Sequence, residues 1–170
     1  MKKKQISFYC IILMLFCQYV GGFPGVNAIS EEQKTAIVSR CDTIKEDLKI
    51  VQHSDSRARV YLGRYYETIL NKFITPLNVR LVENNLFNSD LMNNQNVFTD
   101  ERAKFMEDFI SYQKTLEELV AVDCKNEPEK FYETLTSARK KRKTVAEDVK
   151  KMNSLANKQI GLVKILKGKL

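Results

Sequence analysis

The stretch IVSRCDTIKEDLKIV at residues 37–51 sets the fold, because its apolar positions Ile37, Cys41, Ile44, Leu48 and Val51 step by four, three, four and three. That is the a/d spacing of a heptad, which lays one apolar seam along one face of a helix. The rhythm resumes as Ala58, Leu62, Tyr65 and Ile69 and runs on past Phe73. It returns as Phe105, Phe109, Tyr112, Leu116 and Leu119. A last series, Phe131, Leu135, Ala138, Arg142, Val145, Val149, Met152 and Ala156, keeps the period with one cation on the seam. Helix breakers are sparse: beyond Ala28 there are only Gly63, Gly161, Gly168, Pro76 and Pro128, and there is no tryptophan. Separate segments sharing one period predict an all-α fold, an antiparallel coiled-coil-like bundle of three to four long helices.

Capping residues mark the expected boundaries. Ser30 with Gln33 three residues later reads as a capping box opening the first helix. His53-Ser54-Asp55-Ser56 is a polar interruption where Ser54 or Asp55 can cap a second helix, and a break is expected there. Pro76 should kink that helix, since proline removes a backbone donor and clashes with the preceding turn. Six asparagines between Asn84 and Asn96 predict the main loop, because their side chains compete for the backbone. Thr99 followed by Asp100 and Glu101 then suits a helix start. Cys124–Glu127 reads as a short turn, with Pro128 at the first position of the final helix.

At the amino terminus Lys2, Lys3 and Lys4 precede an apolar run from Phe8 to Val20, followed by Gly21, Gly22, Pro24 and the triplet Val26-Asn27-Ala28. That is the order of a secretory signal peptide, and it predicts cleavage after Ala28. The run is shorter than the roughly 20 residues of a spanning helix. An uncleaved anchor is the alternative, and lipidation of Cys17 is disfavoured by the bulk of Phe16. Residues 1–28 are thus a signal peptide and 29–170 a single helical bundle domain, whose basic last helix covers 128–170. The expected location is secreted or extracytoplasmic, with attachment to the cell surface left open.

Cys10 and Cys17 belong to the leader, so Cys41 and Cys124 remain. An even count in an oxidising compartment predicts one disulfide between them. A straight helix over residues 30–92 would put Cys41 roughly 77 Å from the asparagine-rich loop and Cys124 only roughly 38 Å back from it. A reversal at Ser54–Ser56 instead brings the two to about 20 and about 15 Å above that reversal, within adjustment range of a disulfide. The bond therefore predicts a folded-back first helix. The same geometry makes the final helix overshoot by about 20 Å, leaving Leu155–Leu170 for a partner.

Catalytic constellations are not found in the sequence. His53 is the single histidine and has no cysteine or carboxylate at ligand spacing. Glu46-Asp47, Glu107-Asp108 and Glu117-Glu118 are adjacent pairs that diverge on a helix and do not share a proton. There is no phosphate loop, HExxH, nucleophile elbow or EF-hand spacing. The sequence thus implies no catalytic site, no metal, no cofactor and no small-molecule substrate. Tyr65 falls on the heptad seam and is expected in the core, with Tyr61 and Tyr66 partly exposed.

Charge is the strongest remaining signal. Residues 129–170 carry twelve Lys or Arg against four acids, whereas residues 29–128 carry thirteen against seventeen. Arg139, Lys140, Lys141 and Lys143 form, with Arg142, a run covering more than a helical turn, a candidate site for a polyanion such as DNA, an anionic wall polymer or acidic headgroups. The other reading is that these cations complement the acidic helices beside them. Leu155, Leu162, Val163 and Leu166 share an arc flanked by Lys158, Lys164, Lys167 and Lys169, which suits an anionic membrane surface or packing against the bundle or a second subunit.

The leader ending in Val26-Asn27-Ala28, the stretch Cys41-Asp42-Thr43-Ile44-Lys45, the segment Tyr61-Leu62-Gly63-Arg64-Tyr65-Tyr66 and the basic helix after Pro128 together resemble small exported helical proteins of host-dependent, ultrasmall Saccharibacteria. The resemblance covers nearly the whole chain. It implies a bacterial envelope or extracellular setting and transfers no activity and no site residues. The expected function is that of an exported, non-catalytic binding or structural protein, acting on a protein partner or on itself through its seams, with polyanion binding as the alternative.

Overall fold

The computed structural model describes residues 29–168. The expected signal peptide over residues 1–28 and its cleavage after Ala28 lie outside the described residues. Three helical rods pack up-down-up, so the fold is an all-α bundle. The first rod is continuous: α1 (Glu31–Thr68), a π-helical segment (Ile69–Ile74) and α2 (Thr75–Glu83). It is followed by α3 (Ser89–Ala121) and α4 (Pro128–Lys167). Ser30 opens α1 with both arms of the capping box: its hydroxyl accepts from Gln33 N–H at 3.2 Å, and Gln33 Oε1 accepts from Ser30 N–H at 3.0 Å. Pro128 opens α4, where a missing N–H costs no helical bond.

The expected break at Ser54–Ser56 is absent, and α1 runs straight through it. The polar groups there are used across the bundle instead of in a cap. Asp55 accepts from the Tyr112 hydroxyl at 2.7 Å and from Arg142 at 3.0 Å, and Ser56 Oγ accepts from Gln113 Nε2 at 2.8 Å. The seam therefore continues Val51, Asp55, Arg59, Leu62, Tyr66, with a satisfied polar layer in place of an apolar one. The change of register buries Tyr66 completely and leaves Tyr65 45% exposed, the reverse of the sequence expectation.

Pro76 leaves its mark as the π segment before it. Thr75 N–H reaches back to the Leu70 carbonyl, so i→i+5 bonding bridges the turn where the proline supplies no donor.

The asparagine-rich loop shrinks to residues 84–88. Asn85 takes the left-handed conformation with φ 57°, which asparagine tolerates, and Asn88 caps α3 by accepting from Leu91 N–H at 3.0 Å. Asn93, Asn94 and Asn96 are helical, because Leu91 and Phe98 extend the Phe105 seam backwards in steps of seven and both are fully buried. Thr99 sits inside that helix, its hydroxyl bonded to the Gln95 carbonyl, and is not a cap.

This shorter loop resolves the topology. From Cys41 to Glu83 the first rod rises roughly 63 Å. From Ser89 back to Ala121 α3 rises roughly 48 Å, and residues 122–124, which begin with extended Val122, add up to about 10 Å. A straight first helix thus brings Cys41 opposite Cys124 after all, and the two are disulfide-bonded with Cα atoms 5.7 Å apart. The folded-back first helix is not needed. Nor does α4 overshoot: Leu155 and Ala156 pack on the core, and Gln159 Oε1 accepts from Asn94 Nδ2 at 2.8 Å.

The core is aromatic at its centre. Tyr66 lies edge-on to Phe105 with ring centres 5.5 Å apart, Phe105 to Phe109 at 5.6 Å, and Phe109 to Tyr112 at 6.0 Å. Such T-shaped pairs are worth about 0.5–1.5 kcal/mol each beyond their burial. The seam residues Phe105, Phe109, Tyr112, Leu116 and Leu119 are all buried, as are Ile37, Cys41, Phe131, Ala138, Val145 and Met152.

Candidate functional site

The heptad seams face one another within a single chain, so they are taken up by the bundle. What the bundle leaves open is a second apolar ridge beside the seam of the first rod. Below Leu62 the buried positions are Tyr66, Leu70, Ile74 and Asn78, spaced by four. Their immediate neighbours Tyr61, Tyr65, Ile69, Phe73 and Leu77 repeat the same spacing. Of these, Tyr61 is 69% exposed and Phe73 65%. The apolar arc of this rod is wider than α3 and α4 cover. The π segment, bonded i→i+5, fits more residues into each turn, so side chains spaced by four drift less around the rod.

Opposite this ridge stands the end of α4, whose Ile160 and Val163 form the other wall of a groove of about 510 Å³. Ile74 and Gln159 lie at its floor, and Lys164 at its rim. The groove shares Tyr65 with a shallower trough further up α1, lined by Arg57, Val60, Tyr61, Arg64 and His53. The ionised groups lining these two stretches are all cationic: Arg57, Arg64 and Lys164. His53 is exposed on a helix face at the upper end, rather than in a loop.

Two polar layers brace the bundle on either side of the aromatic core. The upper one is Asp55, Tyr112 and Arg142. Burial, then the bond to Asp55, pushes the Tyr112 phenol well above its ordinary range. The bond to Asp55 likewise raises the Arg142 guanidinium. The lower layer joins Asn78 to Gln95 at 2.6 Å, Gln95 to Thr75 at 3.1 Å and Asn94 to Gln159 at 2.8 Å. Gln159 is 6% exposed, and its Nε2 has no partner among the described residues. Between the layers Lys104 bonds both Asp108 and Asp148 at 2.6 Å. Its bond lowers the Asp108 carboxyl, whereas burial raises that of Asp148.

The basic run divides by orientation. Lys141 turns inward, its ammonium bonded to Thr115 Oγ1 at 2.7 Å, and Arg142 is held by Asp55. Arg139, Lys140 and Lys143 remain exposed, with Lys143 reaching only Glu147 on its own helix at 4.0 Å. Of the other cations on α4, Lys151 pairs with Glu101 of α3, whereas other cross-rod pairs place the cation elsewhere: Lys34 on α1 with Glu129, Arg102 on α3 with Glu67 and Lys125 in the turn with Asp42.

Among the described residues no cluster of three or more His, Cys, Asp or Glu stands where it could hold a metal ion. No described helix is long and apolar enough to cross a membrane. Comparison with protein-family models, curated proteins and solved structures gave no match for this chain.

The ridge is not legible as such in the sequence because Tyr65, Ile69 and Phe73 read there as the seam itself, whereas the structure buries their neighbours Tyr66, Leu70 and Ile74. The signal was there: Tyr61, Tyr65, Ile69, Phe73 and Leu77 step by four without a three, which a single heptad seam does not do.

Proposed function

We propose that this chain is an exported, non-catalytic binding protein of a cell envelope or surface, with the disulfide-stapled bundle as a rigid support and the ridge-and-groove face of the first rod as its binding surface. The observation that carries the reading is the apolar stripe from Tyr61 to Leu77, with Tyr61, Tyr65 and Phe73 exposed and Ile69 and Leu77 half-buried between them, facing Ile160 and Val163. Single exposed apolar side chains are ordinary on any protein, whereas a contiguous stripe marks an interaction site. A disulfide between α1 and the turn joining α3 to α4 accords with an oxidising location, as does the leader-like amino terminus.

The test is site-specific photo-crosslinking in the producing cells. A photoreactive side chain at position 73 should give a discrete higher-mass adduct, and one at exposed Ile110 on α3 should not. Adducts at neither site, or equally at both, would remove the reading.

A second reading is supported by Arg139, Lys140 and Lys143, which stand exposed on α4 without a cross-helix carboxylate among the described residues. These cations suit a polyanion. Retention on heparin that falls steeply with salt and vanishes when the three are changed to glutamine would favour it.

A further inference from the structure

We infer that the groove between the π segment and the end of α4 receives one amphipathic α-helix of a partner protein, with carboxylates flanking its apolar face. This rests on the reading above and names the class of partner.

Geometry comes first. Helices pack by setting ridges of side chains into grooves, and rows spaced by four residues form the commonest ridge. Tyr61, Tyr65, Ile69, Phe73 and Leu77 are such a row, spanning roughly 24 Å along the rod. Along residues 65–77, Ile160 and Val163 supply a second wall, so this part of the face is a furrow between two helices, the shape that a helix laid into a groove requires, and Tyr61 extends it on the first rod alone. A partner of about 16 residues with apolar side chains at i, i+4, i+7 and i+11 would fill it.

Charge selects among occupants. Arg57, Arg64 and Lys164 line the stripe, with no carboxylate among the lining residues from His53 to Lys164. Two copies of this chain joined stripe to stripe would place these cations against one another, which is costly, whereas a helix with Glu or Asp beside its apolar face meets them with opposite charge.

The experiment uses the purified protein and three fluorescent peptides of one length. One has leucines at helical spacing flanked by glutamates, one has the same leucines flanked by lysines, and one has the glutamate peptide's residues scrambled. Fluorescence anisotropy should show the glutamate peptide binding at least about tenfold more tightly than the others, less so at high salt. Phe73→Glu and Ile160→Ser should each abolish that binding; both side chains are more than half exposed, and circular dichroism will verify the fold. Equal binding of the glutamate and lysine peptides, or binding unmoved by either substitution, overturns the inference. So does a Phe73-dependent dimer in sedimentation, which would make a second copy the occupant, or Phe73-dependent uptake onto phosphatidylglycerol vesicles without peptide binding, which would make it a lipid surface. Loss of peptide binding while position 73 still crosslinks in cells rejects the acidic helix alone; loss of the crosslink rejects the binding surface itself.

Discussion

Asp55 on α1 and Arg142 on α4, 87 residues apart in sequence, meet in a two-pronged ion pair, Nε to Oδ2 at 3.0 Å and Nη2 to Oδ1 at 3.2 Å. The Tyr112 hydroxyl donates to the same Oδ2, so one carboxylate ties all three rods together. It also explains how a stretch as polar as His53–Ser56 stays helical. The carboxylate is 14% exposed and fully engaged, while the guanidinium is 59% exposed.

Asp55→Ala should therefore lower the unfolding free energy by about 1–3 kcal/mol, because the buried Tyr112 hydroxyl loses its acceptor. Arg142→Ala should cost no more than about 1 kcal/mol, since the cation is mostly in water. Urea denaturation of the two variants checks the order. A larger loss for Arg142→Ala would mean that the ion pair, not the buried hydroxyl, governs this layer.

The Cys41–Cys124 bond closes a sequence separation of 83 residues and should contribute about 4 kcal/mol if loop entropy is its main effect. The Cys41→Ala, Cys124→Ala double variant should denature at correspondingly lower urea, with its helical circular dichroism unchanged in buffer. Intact mass of the untreated protein should be short of two hydrogens relative to the reduced form.

Tyr66 is fully buried, and burial pushes its phenol up to about 12 from an ordinary 10.0. A folded pKa above the unfolded one means that the folded state holds its proton longer. The corresponding stability is complete below about pH 10 and is lost as pH rises through about 12. Absorbance titration at alkaline pH should show a late phase from Tyr66 and Tyr112, and unfolding should accompany it. Tyr66→Phe should remove one phenol from that late phase and leave the Tyr112 contribution.

Changing Arg139, Lys140 and Lys143 to glutamine should shift stability by no more than about 0.5 kcal/mol each, since all three are exposed. Lys141→Gln should cost more, about 1 kcal/mol, because its ammonium holds the buried Thr115 hydroxyl. Thermal melts of the four single variants check the contrast within one basic run.

Period and punctuation fixed the class of this fold from sequence alone. Steps of three and four at Ile37–Val51, Phe105–Leu119 and Phe131–Ala156 leave no other way to bury the apolar residues than helix on helix; Ser30 and Gln33 mark one helix start through bonds made within one turn, and Pro128 another through its missing donor. The pairing of Cys41 with Cys124 followed from cysteine count, although the route to it did not. Only the tertiary structure decided where the chain turns. A polar residue reads the same in sequence whether it caps a helix or bonds a partner helix, and Asp55, Ser56 and Asn94 each found partners 57 to 87 residues away. The ridge from Tyr61 to Leu77 depends on the tertiary structure for the same reason. Its residues match those of the core beside it, and whether an apolar side chain is buried is set by how many neighbouring helices are present to cover it.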